Sequence, residues 1–169
     1  MQPENELIKQ RIQKLNEIKQ VDVEPFPYRL EKKDDAKDLQ DKYSKLEKEG
    51  STQDKAVVAG RIRLLRRMGK ATFLHLQDST GSIQLYFRED ELGKRPYKFI
   101  KKFDIGDFIG AEGNIFKTRT GEVTVDVKRY EFLSKSIRPL PEKFHGINDP
   151  ELKYRKRYLD LISDNKTLQ

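Results

Sequence analysis

Residues Ala71–Phe87 read ATFLHLQDSTGSIQLYF, and the alternation in this stretch decides the fold. Side chains on a strand point to opposite faces in turn, so a period of two marks a half-buried strand. Thr72, Leu74 and Leu76 share one face of a first strand, with Phe73, His75 and Gln77 on the other. In a second strand Ile83, Leu85 and Phe87 lie opposite Gln84 and Tyr86. Between them, Asp78-Ser79-Thr80-Gly81 is a turn signal, with Gly81 suited to positive φ at the end of a short loop. If both aliphatic faces enter one core, Phe73, His75, Gln84 and Tyr86 are left together outside. Rings beside an amide can stack on a base and read its edge. A plain solvent face that carries two rings is the competing reading, and the hairpin by itself does not separate the two.

The flanks extend the pattern. Ala56–Met68 is a strand rich in Val, Ile and Leu that contains Gly60, ends in Arg66-Arg67 and turns at Gly69-Lys70. Glu89–Phe103 is polar and helical in character, with Pro96 placing any long helix after it. Phe108–Lys117 is a fourth strand with Gly110 and Gly113, and Thr118–Gly121 loops to a fifth, Glu122–Leu133. Three strands, a helical connector and two more strands fit a five-stranded OB-fold barrel, a class that is mainly β with α. The glycines help so small a sheet bend and close. The hairpin then supplies strands two and three, the usual oligonucleotide-binding face. In that setting the base-binding reading overtakes the bland one.

Residues 1–50 read as a helical appendage to the barrel, which is expected over 51–134. Ile8, Ile12, Leu15 and Ile18 give a helix over residues 4–19 whose apolar stripe must dock on something. Val21–Lys33 is extended around Pro25 and Pro27. A second helix starts at Asp34 or Asp35, either of which can cap it. It runs through Ala36, Leu39, Tyr43 and Leu46 to Gly50 as its C′ residue. Residues 135–169 read as a connector stiffened by Pro139-Leu140-Pro141, then a short basic helix capped by Asp149 with Pro150 in its first turn. A capped helix reached through a stiff connector is expected to begin another domain.

The chain of 169 residues carries a net charge of +7 and no cysteine. Residues 1–50 hold 11 Lys and Arg against 12 Asp and Glu, and residues 51–169 hold 24 against 16. The basic excess therefore sits with the barrel, which favours a polyanionic partner. No apolar run is long enough for a membrane span, and no secretory leader is evident, so a cytoplasmic location is expected. His75 and His145, the two histidines, form no ligand pair, and Gly69-Lys70 lacks the rest of a phosphate loop. No catalytic residue and no metal site are assigned. Binding chemistry is better represented. Arg66 and Arg67 lie at the mouth of the proposed face, where fixed donors suit phosphates and base edges. Gln84 offers the donor and acceptor that match the edge of a uridine, and Phe73 can stack on the same nucleotide.

VAGRI (Val58–Ile62), MGKATF (Met68–Phe73), IQLY (Ile83–Tyr86), DIGD (Asp104–Asp107) and KTRTGE (Lys117–Glu122) resemble the class II lysyl-tRNA synthetases of bacterial type. RPLPEKFHG (Arg138–Gly146), running into YRKRYLDLI (Tyr154–Ile162), is more specific still. The resemblance implies that the barrel binds the anticodon loop of lysine tRNA. Carried over, Phe73 stacks on an anticodon base, Gln84 and Arg66 hydrogen-bond the central uridine, and Glu122 helps read the first. Arg67, His75 and Tyr86 are further candidates. The parent enzyme is expected to be a homodimer that uses ATP and Mg²⁺ to charge tRNA with lysine. This stretch is expected to be a monomeric fragment without cofactor and without the catalytic motifs.

Overall fold

The computed structural model describes residues 4–20, 31–139, 150–155, 157, 158 and 162. The Pro25–Pro27 stretch, the Asp149 cap and His145 lie outside the described residues. The elements are α1 (Glu4–Gln20), α2 (Ala36–Lys42), β1 (Ser51–Met68), β2 (Ala71–Gln77) and β3 (Ser82–Arg88). They continue with α3 (Glu89–Leu92), α4 (Lys94–Ile100), β4 (Phe108–Lys117), β5 (Val123–Ser134) and α5 (Pro150–Arg155). No helix among the described residues is long and apolar enough to cross a membrane.

The five strands close into a barrel in the order β1-β2-β3-β5-β4. Every pair is antiparallel except β3 with β5, which joins in parallel at Gln84↔Thr124, Leu85↔Val125 and Tyr86↔Asp126. The alternation read from the hairpin is the burial observed: Thr72, Leu74, Leu76, Ile83, Leu85 and Phe87 are buried, and the residues between them on each strand are half-buried. Val58, Ile62, Ile109, Ile115, Val125 and Val127 fill the same interior. Tyr97, Ile100 and Phe103, from α4 and the turn after it, belong to this core as well.

Two glycines let the sheet close by giving way to a neighbouring strand. A Cβ on Gly60 would meet the Gln77 carbonyl oxygen at 2.4 Å, and one on Gly113 would meet that of Asp126 at 2.0 Å. Gly60 stands where β1 passes from pairing with β4 to pairing with β2, and Gly113 stands at a register shift between β4 and β5. The β3–β5 seam is braced by charge. Asp126 takes Arg88 at 3.0 Å and Lys128 at 2.8 Å, and both cations also reach Glu91.

Several local expectations change. Gly81 does not adopt positive φ; Gly69, Gly93, Gly106 and Gly121 do. The β2–β3 loop is held instead by Asp78, whose Oδ1 accepts from the Thr80 N–H and hydroxyl and from the Gly81 N–H. Pro96 does not precede α4 but sits in its first turn, where no backbone N–H is needed. α2 ends at Lys42 rather than near Gly50, and beyond its end the Ser44 and Leu46 carbonyls accept from the Lys117 ammonium at 2.7 and 3.0 Å. Neither predicted cap serves α2. Asp35 makes no side-chain cap, and Asp34 accepts from the Val57 N–H. The free N–H groups of Ala36 and Lys37 go to Asp78 Oδ2 and Thr80 Oγ1 across the chain.

α1 docks as its stripe predicted, but through one end. Ile18 is fully buried while Ile12 stays 42% exposed. Polar contacts hold the rest. Arg11 donates to the carbonyls of Ser136 and Ile105 at 2.8 and 3.1 Å, Lys14 pairs with Asp104, and Lys102 pairs with Glu17. Beneath them lies Lys135, fully buried between Asp104 and Asp107 at 2.6 and 2.7 Å. The Lys102 carbonyl and the Ser136 N–H complete its network, as a buried charge requires.

Candidate nucleic-acid interface

Residues that face each other in an antiparallel pair share a face, so the register builds the outer surface directly. Arg66 lies opposite Phe73, Phe73 opposite Tyr86, and His75 opposite Gln84. The parallel seam adds Thr124 beside Gln84. Arg66, Phe73, His75, Gln84 and Tyr86 therefore occupy one surface, with Glu122 leading into its far edge. Arg67 does not join them. It lies opposite the inward Thr72, and its guanidinium donates to the carbonyls of Phe103 and Lys101 at 2.8 and 3.3 Å. It ties the β1–β2 end of the barrel to the turn after α4.

The two rings form one unit. Phe73 and Tyr86 stack with centroids 4.4 Å apart and planes 17° from parallel. Tyr86 is backed on its other side by Phe116 at 5.9 Å and by the Arg88 guanidinium at 5.8 Å. Tyr86 is thus packed from both sides, whereas Phe73 is the outer ring of the stack, half-buried and next to exposed Arg66.

Below the rings the polar groups are already linked. Glu122 Oε1 lies 2.7 Å from His75 Nε2, and Glu122 Oε2 accepts from Gln84 Nε2 at 2.7 Å. Thr124 Oγ1 donates to Gln84 Oε1 at 2.9 Å. A carboxylate only accepts, so the proton on His75 belongs on Nε2. The 3.2 Å approach of Gln84 Nε2 to that nitrogen then places two donors side by side on one carboxylate. Among the described residues, each end of the Gln84 amide keeps one bonding position unfilled: an N–H and a lone pair.

Thr124, Phe116 and Arg88 were not picked out from the sequence. Thr124 falls in step with Asp126 along β5 yet is fully buried, and only the parallel seam brings it to Gln84. Among the described residues, no group of three or more His, Cys, Asp and Glu side chains could hold a metal ion.

Residues 56–133 match the family model of the OB-fold nucleic acid binding domain. This region is an OB-fold domain. Beyond it, the chain is 48% identical over 159 residues to the lysine–tRNA ligase of Carboxydothermus hydrogenoformans, covering 94% of this chain and 31% of that protein. It is 49% identical over 158 residues to that of Syntrophomonas wolfei, again covering 94% and 31%. With the Lactococcus lactis enzyme it shares 44% over 165 residues, 96% of this chain and 33% of the relative. The chain with its OB-fold domain thus spans about a third of the length of the curated relatives it matches.

Proposed function

We propose that this chain is the anticodon-binding part of a lysine–tRNA ligase and that its OB-fold face reads the uridine-rich anticodon of lysine tRNA. The observation that carries this reading is the Phe73–Tyr86 stack beside a Gln84 amide fixed at both ends. Phe73 offers its outer ring face to a base, and Gln84 presents a donor and an acceptor to the central uridine. Arg66 supplies charge where the RNA backbone or the same base can meet it, and the basic excess of residues 51–169 adds long-range attraction. Glu122, at the opposite edge, would help read the first anticodon base. His75 and Tyr86 act behind these contacts, and Arg67 contributes to the barrel instead.

The ligase chemistry, activation of lysine with ATP and Mg²⁺ and its transfer to tRNA, would belong to the part of the relatives' length that this chain does not span. These 169 residues alone are expected to form no lysyl-adenylate and to be monomeric, within a parent that is a cytoplasmic homodimer. The test is a titration at fixed salt against an anticodon stem-loop with UUU and one with the central uridine replaced. Weaker binding to the replaced loop supports readout, and Gln84→Ala should erase that difference. Equal binding of wild type to both loops would leave a non-specific single-strand binder.

A further inference from the structure

Where a strand leaves its sheet, its carbonyls lose the partners that the ladder gave them. β5 leaves the barrel at Ser134, the last residue paired with β4. Beyond it the Ser136 and Arg138 carbonyls both accept from Nη1 of Arg11, on α1, at 2.8 and 3.3 Å. Nη2 of the same guanidinium donates to the Ile105 carbonyl at 3.1 Å, in the turn that leads into β4. A single side chain thus ties the exit of the barrel to the entry of β4. The Ser136 carbonyl and the Ile137 N–H belong to one rigid peptide plane, so holding the first holds the second.

Lys14 reaches the same place by a second route. It lies three residues on from Arg11, on the same face of α1. Its ammonium pairs with Asp104 Oδ1 at 2.6 Å, and Asp104 Oδ2 takes the buried Lys135 at 2.6 Å. Lys135 also pairs with Asp107, whose Oδ1 accepts from the Ser136 N–H at 2.9 Å. Ile18, one further step along that face and fully buried, seats the helix. Arginine suits the direct contact because its two terminal nitrogens lie apart in a fixed plane and its charge is permanent. A lysine at 11 would bring one nitrogen to carbonyls that lie on both sides of it. All these contacts fall on the turn before β4 and on the exit, away from the outer face of β2 and β3.

We propose that α1 is a brace for the exit of the barrel: Arg11, supported by Lys14, fixes the direction in which the chain leaves β5, and with it the direction in which the RNA-reading barrel is carried on the rest of the protein. Arg11 is then a positioning residue that touches neither RNA nor reacting atoms. The step from direction to function rests on the anticodon reading; the brace itself does not.

Arg11→Met keeps a long side chain of good helix propensity and removes the donors. In wild type, NMR relaxation should give the Ile137 amide an order parameter near about 0.85, and in Arg11→Met one below about 0.6. Amides of β2, β3 and β4 should keep their wild-type values, and affinity for the UUU stem-loop should stay within about twofold. Arg11→Lys, which keeps the charge, should not restore Ile137. An Ile137 amide as ordered in Arg11→Met as in wild type overturns the brace. Loss of order that spreads through β4 and β5 also overturns it, since Arg11 would then support the barrel itself. In a full-length ligase that carries these residues, Arg11→Met should lower kcat/KM for charging of tRNA by about tenfold or more, the usual effect of a misplaced substrate. Formation of lysyl-adenylate without tRNA should be unchanged. Unchanged charging beside a loosened Ile137 overturns the step to function. Wild type that binds no stem-loop overturns the anticodon reading, and Ile137 alone then decides the brace.

Discussion

Phe73 and Tyr86 face each other across the β2–β3 pair with their rings 4.4 Å apart and nearly parallel. Tyr86 is wedged between Phe73 and Phe116, so it stiffens the outer ring more than it offers a surface of its own. Phe73→Ala should weaken RNA binding by about 1–3 kcal/mol, the usual worth of one base–aromatic stack. Tyr86→Leu should weaken it by less and should also lower thermal stability, since it empties one side of the stack. Fluorescence anisotropy with a labelled stem-loop, paired with a thermal melt, reads both.

Arg66 and Arg67 are neighbours in sequence with separate employment. Arg66 faces outward opposite Phe73, whereas Arg67 donates to the Phe103 and Lys101 carbonyls. Arg66→Ala should reduce affinity and flatten the dependence of log K on log salt by about one unit, the signature of one lost phosphate contact. If Arg66 meets the base edge instead, affinity falls with the slope intact. Arg67→Ala should leave the slope unchanged and cost about 1 kcal/mol of stability.

Gly113 and Gly69 are both needed, for different reasons. A methyl group at 113 would stand 2.0 Å from a backbone oxygen of β5, which cannot move without opening the β4–β5 pairing. Gly113→Ala should therefore cost at least about 2–3 kcal/mol in denaturant unfolding. Gly69 has φ +62 with nothing within 4 Å of a Cβ, so Gly69→Ala strains only the turn and should cost about 1 kcal/mol.

Asp78 joins α2 to the barrel through the Lys32 ammonium at 2.7 Å and the Ala36 N–H at 2.9 Å. Burial acts to raise its pKa. The hydrogen bonds from Lys32, Ala36 and Thr80 outweigh it and hold the carboxyl well below the usual carboxylate range. A depressed folded pKa gives stability that is present above the unfolded value of about 3.9 and is lost as pH falls through the folded value. Asp78→Asn should thus be less stable than wild type by about 2 kcal/mol at neutral pH. The gap should narrow steadily below about pH 4. Urea titrations from pH 7 downward would show it, and a constant gap would remove Asp78 from the account.

The period-two pattern from Thr72 to Phe87, the glycines at 60 and 113, and the strand–strand–strand, helix, strand–strand order determine an OB-fold barrel from sequence alone. They also determine which face of the hairpin is turned out, because alternation is local: one strand pleat decides it without knowledge of any partner. The outward placement of Phe73, Gln84 and Arg66 was legible for the same reason. Tertiary structure decided what the sequence could not. The parallel β3–β5 seam joins residues 40 positions apart, and only it brings Thr124 to Gln84. The Lys117 ammonium that takes the Leu46 carbonyl and the Asp78 carboxylate that caps α2 act across 71 and 42 residues, where no local rule reaches. Arg67 was read beside Arg66, but adjacent strand residues point to opposite sides, and its carbonyl partners come from a turn 34 to 36 residues away. Local periodicity determines the face, and long-range hydrogen bonding decides how its groups are oriented.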